Sequence, residues 1–173
     1  MEPIANENKV REVKQFYDRV AEVNADYQEY WMEHSFGHWD FWLTLFLAVI
    51  PWLIWFIVRK KENQGRLLLA GFLMLIFSSW FDFLGVVFGL WYYTIGVLPT
   101  IPSYVTWDFS IFPVLTMLLI QFKPKINPWL KAIGFSLINA FLGEPLMTWL
   151  GIYVKENWSV FYSTLYRSIY CCI

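Results

Sequence analysis

Charged residues are scarce in this chain. Asp, Glu, Lys and Arg make up 16% of its 173 residues, whereas a soluble domain averages about a quarter. The net charge of −1 gives no basic excess, so nucleic acid is not expected as a partner. The only two cysteines, Cys171 and Cys172, are adjacent. Because a disulfide between neighbours would be strained, we interpret both as reduced thiols.

Several recognisable motifs are also missing. The sequence contains no phosphate-binding loop, no nucleophile elbow and no cysteine motif for a metal, so no cofactor is predicted. Residues 1–38 are polar and lack the apolar core of a secretory signal peptide, so we expect no cleaved leader. No short motif identifies an enzyme class, and whether the chain is an enzyme stays open.

Apolar and aromatic residues, by contrast, are abundant. They make up 58% and 21% of the chain, with 11 Trp, 10 Tyr and 16 Phe. Such an aromatic excess is typical of proteins with much surface at membrane–water interfaces. We therefore predict an all-α fold, a polytopic helical membrane bundle whose main partner is the lipid bilayer.

Residues 1–38 are predicted to form a separate extramembrane region. Apolar residues recur at steps of three and four over 6–36, which predicts an amphipathic helix. The region carries four bases and eight acids, a balance that argues against binding to an anionic lipid surface. Its apolar stripe would instead pack on the membrane part or pair with another copy of the chain.

The remaining residues, 39–173, are predicted to form the membrane bundle of about five spans. Residues 39–58 extend for about 30 Å as a helix, the thickness of a hydrocarbon core. Four bases in the turn at 59–66 place that turn in the cytoplasm. This orientation puts the N-terminus outside and the C-terminus inside a bacterial cytoplasmic membrane. The predicted spans are 39–58, 67–88, 104–122, 126–153 and 158–173.

Two acids lie inside these apolar segments. Asp82 follows an uncharged run over residues 67–81, and Glu144 directly precedes Pro145. Small and hydroxyl residues share the helical face of each acid, so both faces are predicted to point into the bundle. A lone carboxylate at that depth costs at least a few kcal/mol and is a functional candidate by default.

The depths of the acids predict a common location. Asp82 and Glu144 lie toward the outer ends of outward-running helices, while Asp108 and Asp40 lie near the outer ends of theirs. Asp40 and Asp108 are interpreted first as helix caps. We predict a carboxylate-lined cavity near the outer leaflet that binds a cation, a proton or a small amphiphile. The predicted ligand-binding residues are Asp82, Asp108, Glu144, Ser78, Trp80, Trp107 and Arg167.

Two interpretations of the deep acids stay open. In the first, Asp82 and Glu144 share a proton or a cation. In the second, one of the two acids forms a structural ion pair with Arg167, which is the only base well inside an apolar run. The first interpretation requires the two acids to lie close together. The second requires Arg167 between them and no cavity.

Weaker patterns suggest a metal site and a helix contact. His34 and His38 are four residues apart, a spacing found in helical metal sites, but Gly37 lies between them. No metal is therefore predicted, and the histidines remain weak candidates. Gly85 and Gly89 form a small-xxx-small pair, which predicts close approach of another helix and a possible homo-oligomer.

Four stretches resemble a family of small multi-pass membrane proteins of Bacillus- and Clostridium-like bacteria. They read D-F-L-G-V-V-F-G-L-W-Y-Y over 82–93, W-D-F-S-I-F-P-V over 107–114, E-P-L-M-T-W-L-G-I-Y over 144–153 and W-S-V-F-Y-S over 158–163. The resemblance covers residues 40 to 165 and implies a bacterial membrane bundle. It implies no activity.

The chain is also similar to the lycopene cyclase domain of carotenoid-making microbes. Asp82 and the pair Glu144-Pro145 are the matching elements. This resemblance implies a membrane-embedded isoprenoid or lipid enzyme in which Asp82 and Glu144 act as acid catalysts. A third hypothesis is a structural or partner-binding membrane protein that docks through residues 6–36.

Overall fold

A computed structural model describes residues 6–102, 105–122 and 126–159 of the chain, and these residues are mostly helical. The helices are α1 (Glu7–His34), α2 (Trp39–Val58), α3 (Gln64–Val87), α4 (Phe112–Gln121), α5 (Pro128–Ile138) and α6 (Glu144–Trp149). The strands are β1 (Trp91–Tyr93) and β2 (Tyr153–Lys155). A 3-10 turn over Lys61–Asn63 precedes α3, and π-helical turns over Trp107–Ile111 and Asn139–Gly143 precede α4 and α6.

Within the residues that the structure describes, two helical stretches are long and apolar enough to cross a membrane. They are Trp39–Val58 and Lys61–Val87, with mean hydropathies of 2.3 and 2.0. The first has the bounds predicted from sequence, because an apolar run of that length ends at charged residues on one side. The helical stretch Trp107–Gln121 is apolar but shorter. The predicted fifth span, 158–173, lies almost entirely outside the described residues.

A two-stranded sheet is formed by residues between the predicted spans 67–88 and 104–122 and by residues at and just after the end of the predicted span 126–153. Trp91 pairs with Lys155 and Tyr93 with Tyr153 in antiparallel register. The helical stretch that starts at Pro128 ends at Trp149, so the predicted helix end at 153 is wrong. Gly151 follows with a φ of +73°, a left-handed conformation that glycine adopts without strain.

Helices α3 and α4 approach each other closely at Gly71. A Cβ atom at this position would lie 2.8 Å from the Sδ atom of Met117. Met117 belongs to the main cluster of buried apolar side chains, with Trp55, Leu67 and Val114. The absence of a side chain on Gly71 therefore lets the two helices pack together around this cluster.

The predicted role of Gly85 and Gly89 is different from the observed one. A Cβ atom on Gly85 would lie 1.9 Å from the indole of Trp91, so this glycine makes room for the hairpin. Gly89 lies just after α3 with a φ of +64° and has no atom within 4 Å of its would-be Cβ. Gly85 therefore accommodates the ring of Trp91, and Gly89 allows the turn into β1.

Each π-helical turn is followed by a single residue and then by a proline. The amide of Phe112, before Pro113, donates to the carbonyl of Trp107, and the amide of Glu144, before Pro145, donates to that of Asn139. A proline ring disturbs the normal hydrogen bond four residues back. The wider π turn accommodates this disturbance, and such turns are frequent at functional sites.

Among the described residues, helix α1 packs on the rest of the chain through its C-terminal half. The indole nitrogen of Trp31 donates to the carbonyl of Gly96 at 2.8 Å, and the amide of Ile101 donates to the side chain of Asn24 at 2.9 Å. The apolar stripe nearer the N-terminus is exposed. Its exposed members are Val10, Val13, Phe16, Tyr17, Val20 and Val23.

Candidate functional site

Three of the predicted acids line one cavity at the hairpin end of the bundle. Asp82 comes from α3, Asp108 from the first π turn, and Glu144 from the start of α6. The cavity has a volume of about 70 Å³, several times the roughly 10–15 Å³ that one water molecule needs. The other lining residues are Met74, Ser78, Trp91, Tyr93, Trp107, Phe112, Asn139, Gly143, Met147, Tyr153 and Trp158.

Asp82 is held by two aromatic donors from β1. The indole nitrogen of Trp91 donates to its Oδ1 atom at 2.9 Å, and the hydroxyl of Tyr93 donates to the same atom at 2.6 Å. Hydrogen bonds to an ionised carboxylate are about twice as strong as neutral ones. The side chain of Asp82 is therefore positioned by the β1–β2 hairpin, which was not predicted from the sequence.

The phenol of Tyr93 is held in its neutral form. Burial raises its pKa well above the ordinary value, and the negative charges of Asp82 and Asp108 raise it further. The hydroxyl consequently keeps its proton at neutral pH and donates it in the hydrogen bond to Asp82. Tyr93 thus links two of the three acids electrostatically.

Glu144 pairs with a base from β2. The Nζ atom of Lys155 lies 3.5 Å from its Oε2 atom, and the two side chains are 20% and 5% exposed, the lysine being the more exposed. Sequence reasoning missed Lys155 because it lies between the predicted spans 126–153 and 158–173. The signal was the short distance along the chain, since a turn after Trp149 returns Lys155 to the start of α6.

Asp108 is the most buried of the three acids, with 2% exposure. The π turn that contains Asp108 contacts α3, where the hydroxyl of Ser78 lies 3.5 Å from the backbone oxygen of Asp108. Ser78 and Trp107 also line the cavity. Two of the predicted non-acidic site residues therefore lie beside the acids.

Aromatic rings form one wall of the cavity. Trp91 and Trp158 meet edge to face with centroids 5.0 Å apart, and Tyr93 and Tyr153 lie 5.6 Å apart. Offset and edge-to-face arrangements of this kind stabilise aromatic clusters. The cavity is thus lined by both carboxyl groups and aromatic side chains. Of the aromatic residues that line the cavity, only Trp107 was a predicted site residue.

Two predicted site residues are not placed in the cavity. Trp80 is 60% exposed and does not line it, because it lies on the outward face of α3. Arg167 lies outside the described residues. Asp40, the fourth acid that was predicted to lie toward the outer side, is buried at the start of α2 but does not line the cavity either.

The weak metal candidates do not converge. The ring of His34 stacks on Tyr30 with centroids 4.4 Å apart, and its Nδ1 atom lies 3.1 Å from the Tyr30 carbonyl. Within residues 6–102, 105–122 and 126–159, no three His, Cys, Asp or Glu side chains are close enough to hold a metal ion. The three acids of the cavity therefore surround a space without forming a compact ligand set.

No protein family, no curated protein and no solved structure matches the chain.

Proposed function

We propose that the chain is a multi-pass membrane protein whose acid- and aromatic-lined cavity, near the outer leaflet, binds a small organic cation of the ammonium type. The observation that carries the proposal is the convergence of Asp82, Asp108 and Glu144 with the aromatic wall around one cavity. Carboxylates attract a cation, and ring faces attract it further through the quadrupole of their π-systems.

The size and layout of the cavity favour this ligand class. A volume of about 70 Å³ suits a small molecule better than the long chain of an isoprenoid. A bare metal ion needs a compact set of ligands at short distances, whereas the acids here come from three separate elements around a space. An ammonium group, with weaker demands on geometry, fits such an arrangement.

Support for the membrane location comes from the exposed apolar surface. Only 11% of the residues in the apolar window of Trp39–Val58 are buried. An apolar helix with so much exposed surface is expected to face lipid rather than water. The basic residues Lys60, Arg66 and Lys131 lie at the end of the bundle away from the hairpin, which we place in the cytoplasm by the positive-inside rule.

Titration of the purified protein in detergent with tetramethylammonium tests the proposal. Binding is followed by tryptophan fluorescence, since three tryptophans line the cavity. We expect saturable binding that Asp82→Asn and Glu144→Gln each weaken about tenfold, equivalent to about 1.4 kcal/mol. Asp40→Asn is the matched control, because Asp40 is a buried acid near the same end but outside the cavity.

Two results would contradict the proposal. The first is an absence of saturable tetramethylammonium binding to the wild type. The second is an affinity of Asp40→Asn for tetramethylammonium that is as low as that of Asp82→Asn. The alternative ion pair of Arg167 predicts a different pattern. In that case Arg167→Gln would lower the melting temperature as much as Asp82→Asn does, and neither change would alter an ammonium response.

A further inference from the structure

A second cavity lies at the end of the bundle opposite the hairpin. It is a cleft of about 610 Å³ between the 3-10 turn before α3, the end of α4 and the start of α5. This volume is typical of small-molecule sites. Three basic residues line the cleft, Lys60, Arg66 and Lys131, against a single acid, Glu62. The cleft is therefore electropositive, in contrast to the acid-lined cavity.

The bases of the cleft are available to a ligand in different degrees. Lys131 donates from Nζ to the carbonyls of Leu119 and Phe122, at 2.8 and 2.6 Å, so its charge is fixed at the end of α4. Lys60 and Arg66 are exposed and make no ion pair within the described part of the chain. The ammonium group of Lys131 is thus anchored by backbone oxygens, whereas the exposed side chains of Lys60 and Arg66 lie at the rim of the cleft.

A buried hydroxyl also lines the cleft. Thr116 is 9% exposed, and its Oγ1 atom has no hydrogen-bond partner among the described residues. Leaving a buried hydroxyl without a partner costs about 1–3 kcal/mol. A ligand oxygen that reaches this hydroxyl from the cleft would supply the missing partner.

The backbone adds to the positive potential. Helices α3 and α5 both begin beside the cleft, and the N-terminus of a helix carries a partial positive charge that favours anions. Asn63, the residue before α3, makes no side-chain hydrogen bond to cap the helix. The walls include the apolar side chains of Leu67, Leu119 and Ile120.

We propose that this cleft binds the phosphate group of an anionic molecule, most suitably a phospholipid whose acyl chains lie along the apolar walls. Lys60 and Arg66 pair with the phosphate, Lys131 adds a fixed charge, and Thr116 donates its hydroxyl. Basic pockets between membrane helices on the cytoplasmic side bind such headgroups. The proposal does not depend on cation binding at the other cavity, so either can fail alone.

Native mass spectrometry of the full chain in detergent tests the cleft, with phosphatidylglycerol, phosphatidylcholine and inorganic phosphate titrated separately. We expect preferential retention of phosphatidylglycerol, weakened about fivefold by Lys60→Gln and again by Arg66→Gln. Thr116→Val keeps the shape of the side chain and should also weaken retention. Lys61→Gln is the matched control, because this neighbouring lysine does not line the cleft.

The lipid and phosphate titrations separate the possible sources of the phosphate group. Retention of phosphatidylglycerol that inorganic phosphate does not displace identifies a lipid ligand. Displacement by inorganic phosphate, lost in Arg66→Gln, identifies a soluble phosphate compound bound at the same residues. Equal retention of both lipids, or equal weakening by Lys60→Gln and Lys61→Gln, overturns the proposal.

Discussion

The two ends of the helical bundle stabilise their charges in different ways. At the hairpin end, buried carboxyl groups receive side-chain partners from the strands: Trp91 and Tyr93 for Asp82, and Lys155 for Glu144. At the opposite end, polar side chains bind backbone groups, and the rim charges remain in contact with water.

The difference follows from the cost of burial. A carboxyl group far from water must be supplied with hydrogen bonds or an opposite charge by some other part of the chain. A base on the rim keeps its hydration and needs no such partner. Substitutions near the acid-lined cavity should therefore change stability and binding together, whereas substitutions in the basic cleft should change binding with little effect on the fold.

Gly85→Ala is expected to have the largest effect. Its Cβ would lie 1.9 Å from the indole of Trp91, so the hairpin must move away from α3. Overpacking of this kind costs about 3 kcal/mol or more. Thermal unfolding in detergent measures the loss. Gly65→Ala, in the same helix with nothing within 4 Å, is the control and should be neutral or slightly stabilising. Equal melting temperatures for the two variants would show that Trp91 does not pack there.

Long regular features of this fold follow from the sequence. The bounds of α2 are set by an apolar run between polar residues, and α1 by an amphipathic period that ends near Gly37. The position of each acid along its predicted helix placed Asp82, Asp108 and Glu144 on one side of the bundle, and all three line one cavity in the structure. These inferences succeed because a helix converts sequence position into height and direction by a fixed rule.

The connections could not be derived in the same way. Strands of three residues carry too little pattern to be recognised, so β1 and β2 were missed, and with them the partner of Glu144, Lys155. Gly85 matched a helix-packing motif, yet Gly71 makes the helix contact. A small residue permits a close approach without specifying which neighbour approaches, and that choice depends on the whole fold.

Tyr93→Phe is expected to have an intermediate effect. It removes the hydroxyl that donates to Asp82 at 2.6 Å, and a hydrogen bond to a charged group contributes about 1.5–3 kcal/mol. At neutral pH the free energy of unfolding should fall by about this amount, and the melting temperature should fall with it. Tyr17→Phe provides the control, because Tyr17 is 73% exposed on α1. A Tyr93→Phe variant as stable as wild type would mean that Asp82 does not depend on this donor.

The same variant predicts a pH dependence. Burial, with the charges of Asp82 and Asp108, raises the pKa of Tyr93 well above its ordinary value of 10.0. Above pH 10 the unfolded chain releases a proton that the folded chain retains, so the contribution of Tyr93 to stability decreases as the pH rises. The stability gap between wild type and Tyr93→Phe should therefore be constant below pH 10 and narrow above it. A gap that widens would contradict the assigned cause.

Gln121→Ala, at the basic end, is expected to have the smallest effect. The side chain of Gln121 accepts from the amide of Lys60 and donates to the carbonyl of Val58, both at 2.9 Å. Water can replace both partners because these groups are exposed, so the loss should be at most about 1 kcal/mol. Gln121→Glu keeps the acceptor and removes only the donor, and should fall between wild type and Gln121→Ala. If Gln121→Ala instead destabilised the chain as much as Tyr93→Phe, the polar groups at this end would have to be as shielded from water as the acids, and the distinction between the two ends would not hold.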